Sequence, residues 1–219
     1  MIRLQGRKAV VLGGINGLLG QALVQALEAE GAVVAAAGRS QVDVTDENDL
    51  DAYFERVDPE MVFNAVAYTA VDQAEDEPAV AALLNAEVPA ILGRLCQKRG
   101  ILLVHYSTDF VFGCAEETPR REEDIPSPAS VYGRTKLDGE QALLALGYDN
   151  LLILRTAWLF GPGKTNFVHK ILGFAATRDE LTVVHDQAGS PTFTPDLAAY
   201  SLDLIRHGAR GLFHVTNSG

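Results

Sequence analysis

Cysteine is scarce in this chain: Cys96 and Cys114 are the only 2 among 219 residues. One falls in a helical pattern and the other in a Gly-rich loop, and neither Cys-x-x-Cys nor clustered His spacing occurs. That excludes a disulfide scaffold and gives no zinc motif; two free thiols in a reducing cytoplasm are expected. Positive charge is also short. Lys and Arg number 18 against 29 Asp and Glu, a net charge of -11. Such a surface repels phosphate backbones and argues against general nucleic-acid binding, though one nucleotide in a local pocket remains compatible with it. No apolar run nears the roughly 20 residues of a membrane span. The start, Met1 to Lys8, is too polar for a secretory leader. Repeats, low-complexity segments and linkers are missing too, so one continuous domain is expected. His105, His169, His185, His207 and His214 are scattered and read as structural. Asp72, Glu75, Asp76 and Glu77 read as a solvated helix start.

What is present alternates. Short apolar runs at Lys8–Gly14, Ala32–Gly38, Met61–Ala67, Ile101–Ser107 and Leu151–Leu159 read as strands. Between them, Leu18–Glu30, Glu47–Val57, Pro78–Arg99 and Ala129–Leu146 carry helical periodicity. Gly31 and Gly100 stand at helix stops. Gly113–Pro128 reads as an exposed loop. Beyond residue 160 come Phe167–Thr177, a strand at Leu181–Val184, a helix at Pro195–Arg206 and a strand at Leu212–Val215. Strands apolar throughout and separated by helices imply an α/β fold: a doubly wound, Rossmann-type parallel sheet with helices on both faces. Residues 1–160 are expected to bind a nucleotide cofactor and carry the chemistry. Residues 161–219 are expected to hold a small substrate region interleaved with the same fold. That region reads as incomplete, because the chain stops directly after a strand.

The first strand leads into Gly14-Ile15-Asn16-Gly17-Leu18-Leu19-Gly20 and then a helix. Glycines are needed there for a tight turn, for backbone approach to a pyrophosphate and for close helix–strand packing, with the helix N-terminus facing the phosphates. Asn16, Gly17, Leu18 and Leu19 line that turn. At the end of the second strand Arg39 and Ser40 stand where an acid would hold the ribose of NAD. A guanidinium and a hydroxyl suit the 2′-phosphate of NADP, so NADPH is preferred over NADH. Asp43 and Val44 are placed for the adenine, and Ala65, Val66 and Ala67 for a cofactor lying across the strand ends.

Tyr132 and Lys136 sit four apart in a helical segment and share a face. An adjacent ammonium favours the phenolate and lowers the tyrosine pKa. The pair suits proton donation to a developing alkoxide, with Lys136 also able to hold the nicotinamide ribose. Thr108, or Ser107 beside it, ends the fourth strand, where ligands of open α/β sheets sit, with Asp109 adjacent.

These residues, with Asn64-Ala65-Val66-Ala67-Tyr68-Thr69-Ala70-Val71-Asp72, His105 to Phe112, Arg155 to Gly161 and Asp186 to Thr192, resemble the extended short-chain dehydrogenase/reductases. Within that superfamily they are similar to the dTDP-4-dehydrorhamnose reductase family over about residues 8–219. The resemblance implies hydride transfer from NAD(P)H to C4 of a 4-keto nucleotide sugar. Tyr132 would be the proton donor, Lys136 its support, Thr108 the partner of the reacting oxygen, and Asp109 and Trp158 contacts to the sugar nucleotide. It also admits a homodimer and magnesium, for which no ligand cluster is assignable. Two other readings compete. An epimerase or dehydratase of the same fold is opposed by Gly38-Arg39, where epimerases carry an acid, and by the single acid after Thr108. A non-catalytic subunit resembling the beta subunit of methionine adenosyltransferase has no reason to keep Thr108, Tyr132 and Lys136 together.

Overall fold

The computed structural model describes residues 1–113, 118–183, 185 and 187–218. Cys114, Val184, Asp186 and Gly219 lie outside them. In chain order the elements are β1 (Lys8–Leu12), α1 (Leu18–Ala29), β2 (Val33–Ala37), α2 (Glu47–Val57), β3 (Met61–Asn64), α3 (Val71–Ala74), α4 (Pro78–Ala82), a π turn (Leu83–Glu87) and α5 (Val88–Arg99). There follow β4 (Leu102–Thr108), a 3-10 turn (Asp109–Val111), α6 (Val131–Ala145), β5 (Leu151–Thr156), β6 (Leu159–Phe160), α7 (Phe167–Ala175), β7 (Thr192–Phe193), α8 (Thr194–Arg206) and β8 (Gly211–His214). The main sheet is parallel, in the order β2-β1-β3-β4-β5-β8. The strand order reverses beside β1, which opens a crevice at the carboxyl ends of β1 and β3.

Side chains alternate across this sheet and build two cores. Val11, Val104, Tyr106, Leu152 and Leu154 meet Leu19, Leu23 and Leu27 of α1 and Leu197 and Leu202 of α8. Val10, Leu12, Leu103 and Ile153 meet Leu50 and Phe54 of α2, Leu92 and Cys96 of α5 and Leu143 of α6. Helix ends are set locally. Asp46 caps α2 by accepting from the Asn48 and Asp49 amides at 2.8 and 3.3 Å. Ser130 caps α6 through the Gly133 amide at 3.1 Å. Gly100 ends α5 at φ 71°, a left-handed conformation that costs glycine little.

Several expected bounds are corrected. The third strand stops at Asn64, not Ala67, because the Asn64 side chain accepts from the Val66 amide at 3.2 Å and turns the chain. The fifth stops at Thr156, not Leu159, because Trp158 takes φ 46°. Leu159–Phe160 instead pairs with Thr192–Phe193 in a separate two-stranded sheet. Residues 181–183 form no strand. The expectation that no segment reaches membrane length also needs correction, since the 22-residue helical run Pro78–Arg99 passes by length and composition alone. Here it packs on the sheet, with Val88, Leu92, Leu95 and Cys96 buried. The π turn interrupts the expected single helix around Asn85. That fully buried amide accepts from the Tyr68 amide at 2.9 Å and donates to the Tyr68 carbonyl and the Thr135 hydroxyl, both at 3.1 Å.

Candidate nucleotide and active site

The glycine turn is built for backbone proximity. Gly13, which the sequence pattern passed over, adopts φ 81°. Its carbonyl accepts from the Gly17 amide at 2.9 Å. A Cβ on Gly17 or Gly20 would stand 2.5 or 2.2 Å from that same carbonyl oxygen. The turn therefore tolerates no side chain at either position. The signal for Gly13 was the doublet Gly13-Gly14, since one of two adjacent glycines commonly takes the positive φ of a tight turn. Helix α1 begins at Leu18, after Gly17, with no side-chain cap, so its first amides are left at the crevice without a capping side chain, as an anionic ligand requires. Asn16, Leu18 and Leu19 belong to this turn and first helical residues.

Arg39 and Ser40 are exposed in the turn after β2. Asp43 is less free than expected. Its Oδ1 accepts from the Thr45 amide at 2.9 Å and the Thr45 hydroxyl at 2.6 Å, bonds that hold its carboxyl below the usual range. Val44 packs against the core. Ala65, Val66 and Ala67 are half-buried, and the Ala65 carbonyl faces Gly13 at contact distance from its absent Cβ, 3.1 Å. The residues present fit a dinucleotide: a glycine cradle that any Cβ would fill, an uncapped helix and an exposed guanidinium.

The chemical residues gather at the carboxyl edge of β4. The Thr108 hydroxyl donates to Asp109 Oδ1 at 3.1 Å and accepts from the Phe110 amide at 3.2 Å. It also lies near enough to the Tyr132 hydroxyl to favour the phenolate, against the larger effect of burial. Close packing makes this possible: a Cβ on Gly133 would lie 2.2 Å from the Phe110 carbonyl oxygen. The Phe110 and Tyr132 rings meet edge-to-face at 5.5 Å, and the Glu75 carboxylate accepts from the Val131 amide at 2.8 Å. Ser107, the other candidate, is buried with no hydrogen-bond partner for its hydroxyl.

Lys136 departs from expectation. Its Nζ donates to the Tyr106 carbonyl at 2.6 Å. Burial lowers its pKa to about 8, opposed by the charge of Glu140. Tyr132 is not depressed. Burial raises it to about 12, the neighbouring Thr108 hydroxyl acts the other way, and the Asp109 charge adds to the rise. The expected Lys136 effect on the phenol is absent from this state because the ammonium is turned toward β4. Burial also raises the Asp109 carboxyl.

Trp158 stands beyond β5, 42% exposed, in the left-handed region that a bulky side chain rarely occupies. A Cβ on Gly189 would fall 2.6 Å from its indole, so that glycine is the floor on which the ring lies. A cavity of about 430 Å³ lies at the other end of the sheet, lined by Arg7, Lys8, Glu60, Arg99 and Arg210, far from these groups. Among the described residues no three His, Cys, Asp or Glu side chains are grouped to hold a metal ion. Beyond Gly13, the sequence pattern missed Asn85 and the buried pair Glu140–Arg155. An Asn within an apolar helical run was the available sign of the first.

The profile of the RmlD substrate binding domain family matches residues 8–219. The chain belongs to this family. It is 41% identical over 211 residues to a dTDP-4-dehydrorhamnose reductase of Streptomyces griseus, covering 94% of this chain and 69% of that one. It is equally 41% identical over 206 residues to a dTDP-4-keto-6-deoxy-D-glucose reductase of Streptomyces niveus, covering 94% of this chain and 72% of that one. Among solved structures, the Bacillus anthracis dTDP-4-dehydrorhamnose reductase in complex with NADP superposes with a TM-score of 0.94 at 32% identity, covering 98% of this chain and 76% of that one.

Proposed function

We propose that the protein is an NAD(P)H-dependent reductase of a dTDP-linked 4-keto-6-deoxy sugar, converting dTDP-4-dehydrorhamnose to dTDP-L-rhamnose. The observation that carries the reading is the packing of Tyr132 against the Thr108–Phe110 turn, ring to ring with Phe110 at 5.5 Å, beside the glycine crevice. When bound, the nicotinamide supplies hydride to C4 of the sugar. Gly13, Gly14, Gly17 and Gly20 admit the pyrophosphate to the α1 amides, and Ala65, Val66 and Ala67 leave room along the strand ends. Arg39 and Ser40 take the 2′-phosphate, which gives NADPH its preference; equal catalytic efficiency with NADH would refute that. Tyr132 delivers its proton to the sugar oxygen as negative charge develops there. Its elevated pKa keeps the phenol protonated at neutral pH, ready to donate. Thr108 holds the same oxygen, and Lys136 steadies the site from behind. Trp158 offers a flat apolar face to a sugar ring, and Asp109 a carboxyl to its hydroxyls. Residues 1–160 thus carry cofactor and chemistry, and residues 161–219 contribute to the sugar-nucleotide surface.

The test is loss of reduced-nicotinamide absorbance with each of the two dTDP 4-keto sugars, wild type beside Tyr132→Phe. Turnover of dTDP-4-dehydrorhamnose that Tyr132→Phe lowers by about a hundredfold or more is expected. Binding of NADPH without turnover of either sugar would overturn the reading.

A further inference from the structure

A buried ion pair lies one helical turn beyond Lys136. Arg155 Nε donates to Glu140 Oε1 and Oε2 at 2.9 and 3.2 Å, and Nη2 donates to Oε2 at 2.6 Å. The two side chains are 5% and 1% exposed. Pinning a helix to a sheet does not require such a pair. Apolar residues of similar volume are often as good or better, because two charges must be stripped of water. Helix α6 already has Leu137 and Leu143 for that purpose.

The pair's connections are specific. Arg155 aligns with Ser107 across β4 and β5, and the next residue, Thr156, aligns with Thr108. The guanidinium also lies 5.1 Å from the Phe112 ring centroid, just past the 3-10 turn, and 3.4 Å from His214 Nε2 on β8. Arg155 therefore joins the helix bearing Tyr132 and Lys136 to the turn bearing Thr108. Glu140, four residues from Lys136, shares its helix face. The titratable groups that face Lys136 are His105 on β4 and Glu140 on its own helix, with Tyr132 four residues before it on the same face. The Glu140 carboxylate holds the Lys136 pKa up against burial.

We propose that Arg155 and Glu140 are positioning residues for the chemical step: the pair seats the Tyr132–Lys136 face of α6 against the Thr108 turn, and Arg155, by engaging the Glu140 carboxylate, limits how much of its charge reaches Lys136. The seating role rests on the reductase reading; the charge role does not. Both are tested with Glu140→Gln, Arg155→Met and the double variant in the full chain.

Lys136 is followed by ¹⁵N NMR of its ammonium against pH, assigned by its loss in Lys136→Arg. The expected order of midpoints is Arg155→Met highest, then wild type, then the double variant, with Glu140→Gln lowest. Adjacent steps should be roughly half to one pH unit. In turnover, the double variant should lose about tenfold in kcat while the KM for NADPH holds. Coincident midpoints in folded variants would overturn the charge role, and an unchanged kcat would overturn the seating role. If Arg155→Met does not fold, the remaining pair still decides the order. Wild type that turns over no sugar, yet shows the ordered midpoints, would refute the reductase reading and the seating role but not the charge role.

Discussion

Gly20→Ala is the sharpest test of the cradle, because its obstacle is all backbone. The added Cβ would stand 2.2 Å from the Gly13 carbonyl oxygen, 2.6 Å from its carbon and 2.8 Å from Gly14 Cα. No rotamer can relieve that. The start of α1 must move by about 1 Å, while Leu23 and Leu27 further along the helix stay locked in the core. Overpacking of this kind costs about 1–3 kcal/mol of stability. The same displacement carries the α1 amides away from the phosphate position. A loss of about 1.4 kcal/mol there is tenfold in Kd, so NADPH should bind at least about tenfold more weakly.

Titration calorimetry and chemical denaturation on the same preparations measure both effects. Gly100→Ala is the control. It sits at φ 71° with nothing within 4 Å of its Cβ, so it should cost about 1–2 kcal/mol in backbone strain and leave Kd unchanged. If Gly20→Ala binds NADPH as wild type does, the crevice above α1 is not the nucleotide site.

Lys136 should cost stability at neutral pH. Its folded pKa of about 8 lies below the ordinary 10.5, so the unfolded chain holds the proton more tightly. Stability is therefore reduced below about pH 8, rises between about 8 and 10.5, and levels off above. Lys136→Met should gain about 2 kcal/mol near pH 7 by denaturation, lose that slope, and lose turnover. Burial pushes the Cys96 thiol far above its usual range, so an aromatic disulfide reagent should leave it untouched until denaturant unfolds the chain. Arg39→Gln should weaken NADPH by about tenfold and leave NADH unchanged in kinetic measurements. Asn85→Ala strands the Tyr68 backbone groups and should cost about 1–3 kcal/mol in a thermal or denaturant melt.

Much of the scaffold was legible because its signals are local. Val10 to Leu12 and Leu103 to His105 are buried on both faces of a parallel sheet, and such strands read as unbroken apolar runs. The glycine spacing and the four-residue step from Tyr132 to Lys136 are likewise local. The phenol's electrostatics were not legible. Spacing puts Lys136 on the same face as Tyr132, but only the fold shows that its Nζ reaches the Tyr106 carbonyl instead.

The features that escaped the sequence share a cause. Each is a place where a residue acts against its local preference because a distant group requires it. Asn85 sits in a helix, where its side chain is a poor choice, and the helix widens to a π turn as that side chain reaches Tyr68 and Thr135. Trp158 adopts a left-handed backbone that costs on the order of 1–3 kcal/mol, with its indole against Gly189 some thirty positions away in the chain. Arg155 interrupts an apolar strand to meet Glu140. Local rules predict against all three. All three lie around the edge where Thr108, Tyr132 and Lys136 converge, and conflict between local preference and global fold concentrates where function sets the geometry. The same logic orders the experiments. Variants that relieve these conflicts while preserving the fold should leave NADPH binding largely intact and depress kcat; a matching loss of both would mean that the conflicts serve the scaffold rather than the reaction.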